Sequence, residues 1–443
     1  MLSGMLNKWF KLDAHGTTLS REFIAGLTTF AAMAYILAVN PEILSQAGMD
    51  RSGLITVTAL AAALGCFLMA GFANMPIALA PGMGTNSYFA FIICLGMGAT
   101  WQQALAMVFW NGILFLILSV TGARSKVIDG IPNAIKIGVQ CGLGLFIAFI
   151  GLQKTHLVVG NPHTLLAVGD VTSASAVMAL GGLALMVLLT LRGISGAIII
   201  SILLLTAVGS CVTFGGSFIT VLPKSYVSLP APIDQTFFAL DIWYPITHFK
   251  EAYATVFTLF ILDLFDSIGT IVGLSQRAGL ADKQGRIPKL GAALTADATA
   301  TITGALLGTS TTTAYIESAT GVESGGRTGL TSVFVGLFFL VALFFTPLIS
   351  VIPSQATAPA LMMVGIFMMQ GVRQLNFDDL AETAPAFLTL LMIPLTFSIT
   401  QGISLGLLFY IVLALLSGRK GWEKLSGTTL FLGALFVLHY ILL

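Results

Sequence analysis

The sequence predicts an all-α polytopic membrane protein, with about fourteen transmembrane segments in two inverted repeats of seven and two short strands in segments 3 and 10. Three observations carry this. The 443 residues are 56% hydrophobic and only 9% charged, with mean hydropathy +0.96, whereas soluble domains carry about a quarter charged residues. The apolar runs fall into seven, a polar Pro-containing stretch, and seven more. The third run of each half is interrupted by residues that favour extended backbone.

The first seven runs lie near 22–39, 53–73, 76–95, 102–121, 134–151, 174–190 and 194–213. The second seven lie near 252–274, 289–307, 309–320, 327–348, 356–371, 384–399 and 401–417. Several are shorter than the ~20 residues of a straight span. The chain thus divides into a terminus at 1–21, a first repeat at 22–213, an outer loop at 214–250, a second repeat at 251–417 and a tail at 418–443. The tail's apolar stretch, 428–443, either spans or lies at the interface. No cleavable leader is evident in the polar, basic terminus.

Charge supports the count. With the N-terminus inside, the cytoplasmic side holds Lys8, Lys11, Arg21, Arg124, Lys126, Lys136, Arg192, Arg277, Lys283, Arg286, Lys289, Arg327, Arg373, Arg419, Lys420 and Lys424. Only Arg51, Lys154, Lys224 and Lys250 fall outside, so 16 of 20 basic residues obey the positive-inside rule. Seven spans per half make the second half enter from the opposite side, the inverted repeat of secondary transporters, with a site expected at the midplane.

In the third segment, NMPIALAPGMGTNSYFAF at 74–91, an extended piece from Pro76 to Ala80 leads into a short helix. In the tenth, GTSTTTAYIESATGV at 308–322, a run of hydroxyl residues from Thr309 to Ala314 does the same. Such backbone is tolerated at membrane depth only where protein or a wet cavity covers it. The two pieces are therefore expected to pair, aiming two helix N-termini at one pocket. Gly82, Gly84 and Gly308 suit the close approaches this requires.

Of 19 acidic residues, four lie well inside apolar segments: Asp263, Asp266, Asp297 and Glu317. Intramembrane carboxylates are functional candidates by default, and unpaired ones can take up a proton. Asp263 and Asp266 are three apart and share a helix face; the bland alternative is a polar face with no ligand contact. Glu317 could instead cap the helix that follows it. Asp297 could couple protons, or form a structural hydrogen bond or salt bridge to the basic loop at 277–289. Asn86 is a candidate substrate contact or an interhelical amide.

Other chemistries are not supported. Cys66, Cys94, Cys141 and Cys211 lie in apolar runs without metal or disulfide spacing and read as small core residues. No metal or cofactor is expected, and the histidines lie in loops or near the ends. A net charge of +1 without a basic stripe gives no nucleic-acid partner. The glycine patterns lack the Lys-Ser/Thr of a phosphate loop, and Gly325-Gly326-Arg327 reads as a turn. An intramembrane aspartyl protease brings two acids together from separate helices, unlike Asp263 and Asp266.

HGTT and REFIAGLTTFAAMAYI within 15–36, ALAPGMGTNSYFAF at 78–91, LFDSIGT at 264–270, GTSTTTAYIESATGV at 308–322 and GGRTGLT at 325–331 resemble the adenine/guanine/hypoxanthine permease branch of the nucleobase cation symporters, the azaguanine-permease-like group. The resemblance runs from about residue 8 to the end. It implies the uracil-permease-like fold, with a core domain (segments 1–4 and 8–11), a gate domain (5–7 and 12–14), and proton-coupled purine uptake across the cell membrane. Asp266 and Glu317 match the family's site carboxylates, and Asn86 its polar residue in segment 3. Asp263 resembles the hypoxanthine/guanine members, where adenine-specific relatives carry an uncharged amide. Thr309, Ser310 and Thr313 are the strand hydroxyls expected at the substrate. The partners implied are a purine nucleobase, protons and the lipid bilayer; a homodimer is left open. Adenine, xanthine or uric acid as substrate, or an anion exchanger or channel on the same fold, are the alternatives.

Overall fold

A computed structural model describes residues 7, 9–121, 132–194, 196–214, 217–223, 225–280, 287–417, 422 and 425–442. Lys8, Arg124, Lys126, Lys224, Lys283, Arg286, Arg419, Lys420 and Lys424, part of the basic loop at 277–289, and the ends of the chain lie outside them.

Each predicted segment has a counterpart. Among the described residues ten helices are long and apolar enough to cross a membrane, and Met83–Gly96, Ala197–Gly209 and Leu380–Thr396 are shorter apolar helices. The remaining segment is the strand and short helix of segment 10. Segment 1 comes in two pieces, Leu19–Met33 and Ile36–Leu44. Pro41 lies in the second piece; it has no N–H to donate and its ring crowds the carbonyl four residues back. The tail forms a helix, Gly427–Leu442, packed on segment 14 (Ile399–Leu416).

The extended pieces pair as expected. Strand β1 (Leu79–Pro81) runs antiparallel to β6 (Thr312–Ala314), with Ala80 opposite Thr313. Further bonds continue the ladder, Gly82 N–H donating to Thr311 O (2.9 Å) and Tyr315 N–H to Ala78 O (3.0 Å). The free edge of β6 is covered too, since Thr312 N–H donates to Thr301 Oγ1 and Thr301 Oγ1 to Thr312 O. The outward N–H and C=O of Thr312 are thus satisfied by protein, as an apolar medium demands. Two hairpins outside the spans were not anticipated: β2 (Val158–Asn161) with β3 (Leu165–Val168), and β4 (Thr213–Phe214) with β5 (Ser217–Phe218).

Small residues set the helix contacts, because lipid-embedded helices gain stability from close packing rather than from hydrophobic exclusion. Segment 5 (Asn133–Lys154) packs on segments 12 (Ser354–Met369) and 13 (Leu380–Thr396). A Cβ on Gly144 would stand 3.1 Å from Gly365 O, and one on Gly138 would stand 2.7 Å from Ala386 O. Segment 2 (Arg51–Phe72) packs on segments 1, 9 (Leu290–Leu307) and 11 (from Gly329), and segment 9 also on segment 4 (Trp101–Thr121). The stretch 225–248 lies across this second group: Phe238 N–H donates to Leu306 O, Asp241 N–H to Gln102 O and Trp110 Nε1–H to Ile242 O.

Buried polar groups fasten the ends. Glu22 is fully buried and accepts from Arg327 N–H, Thr331 N–H and Thr331 Oγ1, which secures the start of segment 11. Gly325 turns with φ +102°, and Arg327 donates to the carbonyls of Val322 and Gly326. This is the turn the sequence predicts. Cys66, Cys94 and Cys141 are buried, but Cys211 is exposed, beyond the end of the Ala197–Gly209 helix.

Candidate functional site

Each strand of the pair ends at a helix start. Gly82 precedes Met83–Ser87, and Glu317 precedes Ser318–Glu323. At Gly82 a Cβ would stand 2.7 Å from Thr313 Cγ2, and at Gly84 one would stand 2.3 Å from Leu143 Cδ2. At both positions a larger residue would have to displace a neighbouring side chain, Thr313 or Leu143.

The four intramembrane acids divide by exposure. Asp263 and Asp297 are fully buried. Asp266 and Glu317 keep partial exposure and lie close enough for their charges to interact. Glu317 does not cap its helix; its Oε1 accepts from Tyr35 Oη at 2.5 Å. Tyr35, at the break of segment 1, was not a sequence candidate. An aromatic amid apolar residues reads as core, and only the fold brings it to residue 317.

Asp263 Oδ2 accepts from Asn111 Nδ2 (3.2 Å), with Thr301 Oγ1 at 3.4 Å, while its Oδ1 has no hydrogen-bond partner among the described residues. Because Thr301 also lies against the free edge of β6, that hydroxyl links Asp263 to the strand. Asp297 Oδ2 accepts from Ser267 Oγ at 2.5 Å, and Ser267 Oγ is 2.9 Å from Thr313 Oγ1. Segments 8 and 9 are thereby tied to β6.

The hydroxyl run is mostly internally engaged. Asn40 Nδ2 donates to Thr309 Oγ1 (3.2 Å), Ser310 Oγ donates to Asn86 Oδ1, and Thr311 Oγ1 to Thr85 Oγ1 (2.5 Å). Thr309, Ser310, Thr311 and Thr312 have no exposure and Thr313 has 3%. The side chains brace the strand from segments 1, 3 and 8. Asn86 Nδ2 is different: it is buried and has no hydrogen-bond partner among the described residues, and an unsatisfied buried donor in a folded protein calls for a physical reason. Asn40 was also not singled out from the sequence, where one amide in an apolar helix carries no distinguishing signal.

A family profile described as Permease family (Xan_ur_permease) matches residues 20–405. The chain belongs to this family. The permease is 40% identical over 443 residues to the adenine permease AdeQ of Escherichia coli (strain K12), covering 99% of this chain and 97% of the relative. It is 39% identical over 447 aligned positions to the guanine/hypoxanthine permease PbuG of Bacillus subtilis (strain 168), covering 99% and 100%. The transmembrane domain of the cyanobacterial bicarbonate transporter BicA superposes with TM-score 0.66 at 15% identity, covering 87% of the permease and 97% of that chain. At that identity the likeness speaks to fold alone. Transport, rather than catalysis, is the activity of the family.

Proposed function

We propose that this permease takes up purine nucleobases across the cell membrane, its N-terminus cytoplasmic, driven by protons. The single observation that carries the reading is the pair of partly exposed carboxylates, Asp266 and Glu317, beside the paired strands. Two carboxylate acceptors suit the ring N–H groups of a purine, bound by charge-assisted hydrogen bonds. Asn86 Nδ2 supplies a donor for a ring nitrogen or carbonyl. An anion would meet two carboxyl groups and no basic side chain from the candidate set, which disfavours the exchanger reading.

Protonation of Asp266 or Glu317 would set the charge of the loaded site, with Asp297, joined to Ser267, a further candidate. The two packing groups fit a core and a gate that rock against each other, exposing a midplane site to each side in turn. Hypoxanthine and guanine are favoured only by the resemblance of position 263 to those members, since Asp263 itself is fully buried and engaged by Asn111 rather than open to a substrate. Relatives named for adenine and for guanine/hypoxanthine stand at nearly equal identity, 40% and 39%, so identity does not discriminate between them. The test is radiolabelled hypoxanthine uptake in purine-transport-deficient cells, competed with guanine, adenine, xanthine and uric acid. We expect hypoxanthine and guanine to compete best; absence of purine uptake by well-expressed protein refutes the reading.

A further inference from the structure

Arg51 and Lys154 are two of the four basic residues that disobey the positive-inside pattern. Both are accounted for by one carboxylate. Lys154 Nζ donates to Glu42 Oε1 at 2.7 Å, and Arg51 Nη2 lies 3.3 Å from Glu42 Oε2. Arg51 Nη2 also donates to Ile352 O at 2.8 Å. The side chains of Glu42 and Lys154 are 11% and 14% exposed, so their pair is largely removed from solvent. Breaking such a pair by removing one partner leaves a charge uncompensated, a larger effect than losing a surface ion pair.

The three residues sit at a junction. Glu42 belongs to the second piece of segment 1, and Arg51 begins segment 2. Lys154 ends segment 5, and Ile352 lies in the turn between the short helix Thr346–Ser350 and segment 12, two residues before Ser354. Segments 5 and 12 are held together along their length by glycine contacts, Gly144 with Gly365 and Gly151 with Ala358 O. One bond therefore reaches each member of the rigid 5–12 pair from the 1–2 side: Glu42 takes Lys154, and Arg51 takes the Ile352 carbonyl. The piece that carries Glu42 also carries Asn40, which donates to Thr309, and it follows Tyr35, which donates to Glu317. From Tyr35 to Glu42 is about two helical turns, roughly 10 Å.

We propose that Glu42, Arg51 and Lys154 form an ionic latch that closes the mouth opposite the N-terminus. The short helix Ile36–Leu44 links this latch to the candidate site. Outward opening must break the Glu42–Lys154 pair and the Arg51–Ile352 bond together, so the latch sets the fraction of protein open to the outside. That the mouth admits a purine rests on the function proposed above; that the latch closes it does not.

The experiment therefore has a substrate-free arm. Ile352 is 3% exposed, so Ile352→Cys in a Cys211→Ser background reports opening through its reaction with a membrane-impermeant maleimide. Lys154→Glu, which faces Glu42 with a like charge, should speed labelling on the order of fivefold or more, the size of a typical conformational coupling. The charge exchange Glu42→Lys with Lys154→Glu restores the 42–154 pair but sets a lysine at position 42 against Arg51, so labelling should be slower than in Lys154→Glu without reaching the parental rate. Where Lys154→Glu does not fold, as judged by size-exclusion chromatography, Lys154→Gln is read instead, with a smaller acceleration in the same direction. In whole cells the opened variant should show a lower external KM for hypoxanthine and a lower maximal rate, because apparent affinity scales with the competent fraction. Labelling unchanged in Lys154→Glu, or an exchange variant as fast as the single variant, overturns the latch. A parental protein that labels as expected and takes up no purine leaves the latch standing and removes the functional reading instead.

Discussion

Glu317→Gln probes the candidate site most directly. In the structure one carboxylate oxygen, Oε1, is already committed to the Tyr35 hydroxyl at 2.5 Å, which leaves the other to accept from a substrate N–H. Glutamine has one acceptor and one donor group at its end. If its carbonyl faces Tyr35, its N–H₂ opposes the purine N–H; if it turns round, the Tyr35 hydroxyl loses its acceptor. Either way one charge-assisted bond is lost, about 1.5–3 kcal/mol, which is roughly a 10- to 150-fold weaker Kd. Tyr35→Phe removes the constraint on the amide, so in Tyr35→Phe/Glu317→Gln the carbonyl is free to turn to the purine. The double variant should lose less affinity than the sum of the singles, the non-additivity that marks groups in contact. The assay is calorimetric or ligand-induced melting measurement of hypoxanthine Kd on purified protein, with size-exclusion profiles as the folding control. Unchanged Kd in Glu317→Gln, or single effects that simply add, would refute the reasoning.

Proton coupling requires uptake to rise as external pH falls and to collapse with a protonophore; each 100 mV contributes ~2.3 kcal/mol per charge, roughly 50-fold accumulation, and uptake that follows sodium and ignores the protonophore contradicts it. Asp263 has no exposed surface and is held by Asn111, so Asp263→Asn is expected to weaken guanine and adenine together; paired inhibition constants decide, and a selective gain for adenine would instead show that residue 263 reads the purine edge. Ser267→Ala cuts the bridge between Asp297 and Thr313 and should reduce stability by ~1–3 kcal/mol, seen as a lower melting temperature; an unchanged melting temperature argues against the bridge. Gly365→Ala puts a methyl 2.6 Å from Gly144 O and should destabilise by about 1–3 kcal/mol through overpacking; wild-type melting behaviour would mean that segments 5 and 12 are not so tightly held.

The segment order, the paired breaks in segments 3 and 10 and the four intramembrane acids were all legible in the linear sequence. Each depends on a local rule: apolar length sets a span, a hydroxyl run favours extended backbone, and a carboxylate in an apolar run stands out against its neighbours. The roles of Tyr35, Asn40, Asn111 and Ser267 were not legible: Tyr35 and Ser267 lie inside motifs that mark the family but say nothing of their partners, and Asn40 and Asn111 look like ordinary amides of a packed helix. Their roles arise from partners 282, 269, 152 and 30 positions away. The division among the acids was equally hidden. Asp263 and Asp266 sit three apart on one helix, yet segment 4 covers the first with Asn111 while the second stays partly open beside Glu317. The sequence by itself determined which groups enter the membrane. Which of them stay partly open and which brace the strand was decided only by tertiary packing, because hydrogen-bond satisfaction in a medium without water depends on what the other helices bring alongside.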